Sequence, residues 1–174
     1  MDPASLLEYR RRRDEFFAHD PRSPLPPEER REFSGLSYYP PNPHLVFHVP
    51  LIPVPPEPVT IATTTGEERV YEKVATVTLE IAGVSVTPAL YSMGHPRLFL
   101  PFRDATSGVE TYGAGRYLDV DPEPGGTVVV DFNMAYNPFC AYDDAYSCAL
   151  PPYENWLPVP IRAGERHERA AVAR

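Results

Sequence analysis

Proline constrains this chain more than any other residue: it holds 23 of 174 positions, about 13 % where soluble proteins average near 5 %. The proline ring fixes φ and removes the backbone N–H, so it breaks helix interiors and interrupts central strand ladders. A chain punctuated this often must be built from short strands and many turns, with little helix. It is not thereby disordered. Hydrophobic residues make up 43 % of it and aromatic residues 11 %, enough to bury a core. The length suits one folding unit.

Residues 3–19 carry the clearest helical pattern. Leu6, Tyr9, Arg13 and Phe16 or Phe17 recur at three- and four-residue steps and share one side. Asp2 or Ser5 supplies a start cap. The run Arg10 to Arg13 is followed at once by Asp14 and Glu15, the pattern of a solvated helix face. His19-Asp20-Pro21 ends the helix. Residues 23–33, with prolines first and Glu28 and Glu29 early, read as a second short helix.

From Gly35 the period changes to two. Strands are expected at residues 36–39, 44–51, 70–81, 98–103, 116–120, 127–132 and 157–161, and an edge or extended crossing at 50–58. Ala82-Gly83, leading into Val84, has the spacing of a tight hairpin. Eight or so short strands with frequent turns indicate a mainly β fold, an antiparallel barrel or sandwich with the two short N-terminal helices packed on it. The expected division is a helical segment at 1–34 and an antiparallel β domain at 35–174, within a single folding unit.

Formal net charge is −8, which argues against nucleic acid and against anionic membrane surfaces as partners. No window approaches the ~18 apolar residues of a membrane span. The first residues lack the apolar stretch of a signal peptide, so a cytoplasmic location is expected. In that compartment thiols stay reduced. A bridge between Cys140 and Cys148 would stabilise by about 2.5 kcal/mol on the chain-entropy model; two packed thiols are expected instead. Neither a metal nor a cofactor is expected. There is no Cys-x-x-Cys, and His44 and His48, on one strand face, would stand ~13 Å apart. Gly-x-Ser-x-Gly, His-Glu-x-x-His and P-loop patterns are also absent. Gly113-Ala-Gly115 precedes a strand and not a helix, so it offers no helix N-terminus to a phosphate.

The polar residues near strand ends carry the chemistry. Alternation places Leu98, Leu100, Phe102 and Asp104 on one face and Arg116, Leu118 and Val120 on another. Asp104 and Arg116 could therefore meet at the rim of an apolar interior. They would form either an ion pair that fixes strand register or the polar end of a ligand pocket. Asp131 and Asn133 share a face at the end of the next strand, and Tyr136 and Asn137 follow. These are either a hydrogen-bonded corner or one wall of a cavity.

The segments LFLPFRDATSGVETYGAGRYLDV, VDFNMAYNPFCAY and CALPPYENWLPVPIRAGER resemble the bacterial and archaeal family catalogued as domain of unknown function 1684. The match is dense over 98–166 and looser before it. The chain departs from the family pattern at Ala149, where proline is usual, and at Arg166, where lysine is usual. The resemblance implies no activity. It implies that the signature residues act together.

The resulting expectation is a small-ligand-binding module. Its polar wall would comprise Asp104, Arg116, Asp131, Asn133, Tyr136 and Asn137, with Glu154 and Asn155 added from the following loop. The alternatives are a hydrolase or isomerase with Asp131 or Glu154 as general base, and a structural or protein-interaction domain.

Overall fold

The computed structural model of the chain describes residues 2–167. Helix α1 spans Pro3–His19, as the periodicity requires, and Asp2 caps it by accepting from the amides of Ala4 and Ser5 at 3.0 and 3.1 Å. Helix α2 spans only Pro27–Glu32. The stretch before it stays out of the helix because Ser23, Leu25 and Pro26 each precede a proline, which disfavours helical ψ.

Among the described residues nine strands follow: β1 Val46–Pro50, β2 Ile52–Ala62, β3 Glu68–Thr76, β4 Leu79–Ile81, β5 Val84–Val86, β6 Ala89–Ser92, β7 Leu98–Phe102, β8 Arg116–Val120 and β9 Thr127–Asp131. They pair antiparallel in one five-strand sheet of order β2-β3-β6-β7-β8 and two ribbons, β1-β9 and β4-β5. The five-strand sheet is open, ending at β2 and β8, so the barrel alternative is not realised and the arrangement is sandwich-like. Proline-rich β2 lies at an edge, where missing N–H groups cost no ladder bond. The β4-β5 turn has Ala82 at φ 50° and Gly83 at φ 79°, the mirror-image turn that fits strand twist.

Four expected strands are corrected. Residues 36–39 contribute only the Tyr38–Glu165 bridge. Residues 70–81 divide into β3 and β4, because the Val77 amide leaves the β3 ladder and donates to the Pro88 carbonyl. Residues 157–161 form no strand, although burial alternates strictly from Leu157 to Ala163. Pro158 and Pro160 cannot donate to a ladder. The expected strand at 44–51 also begins late: His44 lies in the 3-10 turn Pro43–Leu45, so it does not share a strand face with His48.

Both faces of the five-strand sheet are covered, which is why every residue of β7 is buried. On one face Leu90, Leu100, Phe102, Leu118 and Val120 join Val128 and Val130 of β9, Leu79 and Ile81 of β4, and Leu157, Val159 and Ile161. On the other, Ile61, Tyr91 and Phe99 lie beneath Ala149. The 148–150 segment is fixed there by Thr64 N to Cys148 O at 3.0 Å, Leu150 N to Ala62 O at 2.9 Å and the Tyr117 hydroxyl to Ala149 O at 2.6 Å.

Gly164 turns the chain at φ 77°, and a Cβ there would lie 2.7 Å from the Phe132 carbonyl oxygen and 2.8 Å from that of Ala135. Both neighbours are backbone and cannot swing away. Gly164→Ala should cost about 2–3 kcal/mol, from the left-handed φ and the overpacking together. A urea melt of the variant measures this through its midpoint.

Candidate functional site

Parity correctly brings Asp104 and Arg116 together. Arg116 Nη2 stands 3.5 Å from Asp104 Oδ1, and both side chains are fully buried. The guanidinium lies over the Phe102 ring. Both terminal nitrogens also donate to backbone, Nη1 to the carbonyls of Ala163 and Glu165 at 2.6 and 3.2 Å and Nη2 to that of Ile161 at 2.8 Å, while the buried Nε finds no hydrogen-bond partner among the described residues. Asp104 accepts from the Ile161 amide at 2.6 Å and from the Thr106 hydroxyl. Burial pulls the Arg116 pKa below its ordinary value, and the Asp104 charge opposes this; arginine starts so high that it stays protonated. The pair holds the proline-interrupted 157–165 segment in place of a strand ladder. It lines no cavity wall beside Asp131.

Three more of the expected residues are internal fasteners. Asn133 is buried and exchanges hydrogen bonds with the Asn42 backbone, N to Oδ1 at 2.7 Å and Nδ2 to O at 2.9 Å, while donating to Asp131. Asn155, fully buried, accepts from Ala89 N at 2.8 Å and donates to the carbonyls of Ala89 and Pro101. Asn137 binds the Glu165 carboxylate through both its amide N–H and its side chain, at 3.1 and 3.2 Å. Glu154 is exposed and lies away from Asp131, accepting from Lys73 at 2.8 Å and from the Tyr91 hydroxyl at 3.2 Å, and it lines an open depression with Asp104, Tyr153 and Trp156.

Asp131 and Tyr136 do share a cavity. It is a cleft of about 500 Å³ that runs between α1 and the β8-β9 end of the molecule. Its floor is apolar, from Leu118, Val129, Met134 and the prolines at 122 and 124. Asp119, Asp121, Glu123 and Asp131 contribute four carboxylates, and Arg97 is the one cation among the lining residues. Three of those acids have partners. Asp121 takes a bidentate bond from Arg97 at 2.8 and 3.0 Å, and Glu123 contacts His48 at 2.7 Å and Thr127 at 3.0 Å. Asp131 accepts from the Asn133 amide at 2.9 Å. Asp119 is solvent-exposed and, among the described residues, accepts only the Tyr136 hydroxyl, at 3.0 Å. Burial first, and the Asp119 charge second, push the Tyr136 phenol well above its usual pKa, so it serves as a neutral donor.

Several of these residues escaped the sequence reading. Tyr9, Arg97 and Asp119 line the cleft, but they come from a helix, a loop and the outward face of β8, and only the fold collects them. Arg13 and Glu165 form a second buried pair at 2.8 Å, with side-chain exposures of 17 % and 0 %. Arg13 had a signal: it falls on the apolar stripe of α1. The solvated face expected for the arginine run is thus half right. Arg11 and Arg12 are exposed and pair with Glu8, whereas Arg10 bonds the Tyr39 carbonyl and stacks on Tyr38.

Among the described residues no cluster of three or more His, Cys, Asp or Glu could hold a metal ion, and no helix is long and apolar enough to cross a membrane. A family model described as protein of unknown function (DUF1684) matches residues 31–166. Among solved structures, the solution NMR structure of an uncharacterized protein from Haloarcula marismortui is similar, at 38 % sequence identity and a TM-score of 0.73. The likeness covers 94 % of this chain and 92 % of that one. No curated protein matches the chain.

Proposed function

The chain belongs to that DUF1684 family, and we propose that it is a small-ligand-binding module whose site is the cleft beside Asp131. The observation that carries this reading is the lining: four carboxylates against one guanidinium over an apolar floor, in a cavity of about 500 Å³. That volume is in the range of small-molecule sites, where mostly apolar walls carry a few placed polar groups. The charge balance selects a compact organic cation, an ammonium with an apolar body. The body lies on Leu118 and Met134. The ammonium meets Asp119, which the Tyr136 hydroxyl orients.

A charge-assisted hydrogen bond contributes about 1.5–3 kcal/mol. Asp119→Asn should therefore weaken binding by about 10- to 100-fold, read by titration calorimetry with alkyl- and arylammonium probes. Affinity should also fall as salt rises, because the cleft is open to solvent. Carboxylates of matched shape that bind better than the ammonium probes, or an Asp119→Asn protein with unchanged affinity, would count against the assignment.

A further inference from the structure

Cys140 and Cys148 lie within hydrogen-bonding reach of each other. Their surroundings differ. Cys140 is 4 % exposed, and the Tyr112 hydroxyl donates to both its sulfur and its carbonyl at 3.4 Å. Cys148 is half-buried and reachable from solvent. Thr64 clamps it: Cys148 N donates to Thr64 Oγ1 at 3.1 Å and Thr64 N to Cys148 O at 3.0 Å. Arg69 reaches the same strip, donating to the Ser147 carbonyl at 2.8 Å. An accessible sulfur thus sits against a shielded one in a fixed loop. Neither thiol belongs to the acidic cleft.

We propose that Cys148 and Cys140 form a site of reversible oxidation by hydroperoxides, Cys148 as the attacking thiolate and Cys140 as the resolving thiol. In the first step the Cys148 sulfur attacks a peroxide oxygen. An S–O bond forms and the O–O bond breaks; hydroxide or alkoxide leaves and takes up a proton. The sulfur loses two electrons and the peroxide gains them, leaving a sulfenic acid. In the second step the Cys140 sulfur attacks the sulfenic sulfur. The S–S bond forms, the S–O bond breaks, and the hydroxyl leaves as water with the Cys140 proton. The roles follow first from access, and charge agrees: the neighbouring Cys140 thiol, then the Cys140 backbone amide and Arg69, hold the Cys148 thiol well below its ordinary pKa against the opposing effect of burial. Cys140 moves the other way, because it is the donor to Cys148 and is itself buried.

The test uses the full reduced chain, a small molar excess of hydrogen peroxide, an iodoacetamide quench and intact-mass measurement. The expected product is a monomer lighter by two hydrogens, with neither cysteine alkylated, restored by dithiothreitol. Cys140→Ser should stop at a sulfenic acid on Cys148 that dimedone traps as one adduct. Cys148→Ser should leave Cys140 at least about tenfold slower to react, as its burial and protonation require. The wild-type mass stands by itself if a variant folds poorly. Two alkylated thiols after peroxide, a disulfide-linked dimer, or Cys140 reacting first would each overturn the proposal.

Discussion

Arg116→Met should lower the free energy of unfolding by about 3–5 kcal/mol, the cost of leaving one member of a buried ion pair without its partner. Methionine fills much of the arginine's volume and can still lie on Phe102, so packing is not the main loss. What disappears is the charge opposite Asp104 and the donors to the carbonyls of Ile161, Ala163 and Glu165. Asp104 has no solvent to turn to, since its side chain is fully buried. Adding Asp104→Asn should restore part of the loss, because the amide oxygen can still accept from Ile161 N while the unpaired charge is gone. Urea melts of the two single variants and the double variant form a cycle that isolates the pair. Simple additivity of the two single losses would mean that the ion pair contributes little.

Glu165→Gln should be of similar size, about 3–5 kcal/mol, and should act on α1 first. The Glu165 carboxylate is completely buried and accepts from Arg13, from the Tyr142 hydroxyl and twice from Asn137. Glutamine keeps the shape but turns an NH₂ toward groups that donate to the carboxylate, of which only the Tyr142 hydroxyl can also accept, and it removes the charge that pairs with Arg13. Arg13 comes from α1, whose other contacts include Phe16 and Phe17 against Phe139 and Tyr142, Arg10 on Tyr38 and the Tyr39 carbonyl, and Asp14 on the Leu36 amide. Amide exchange should therefore accelerate in α1 before it does so in β7 or β8. Glu8→Gln is the control. Glu8 pairs with Arg11 and Arg12 on the open side of the same helix, where ion pairs are screened by water, and its melting curve should scarcely move. Uniform acceleration across the sheet in Glu165→Gln would contradict the view that Glu165 fastens the helix.

The β periodicity was legible where one face is wet. Strands β8 and β9 and the β4-β5 hairpin follow from alternation and from Ala82-Gly83. Strand β6 was not legible: Ala89, Leu90 and Tyr91 are all buried, so they show no alternation, and at four residues the strand is shorter than β7, which is buried throughout but still reads as a strand. Residues 157–163 present the reverse case. Their burial alternates, so they read as a strand, yet two prolines deny them a ladder and Arg116 bonds their carbonyls instead. Face parity found the Asp104–Arg116 contact but could not say whether the face looked onto space or onto packed protein. That depends on the 157–165 segment, more than forty residues further along the chain. The stretch from Asp131 to Asn155 divides in the same way. Asn133, Asn137 and Asn155 satisfy buried backbone and a buried carboxylate, which an Asn can do with donors and acceptors on one short side chain. Asp131 and Tyr136 stand at the cleft. Their partners there, Tyr9, Arg97 and Asp119, lie on three other elements, so no local pattern announces the cavity.

The most direct test of the cleft as the binding site is amide chemical-shift mapping of the isotope-labelled chain during titration with an arylammonium probe. The account predicts saturable shifts confined to Tyr9, Leu118, Asp119, Met134 and Tyr136 and their neighbours, abolished by Asp119→Asn. Shifts centred instead on Arg103, Tyr153 and Trp156, or no saturable shift with any cation of the series, would contradict it.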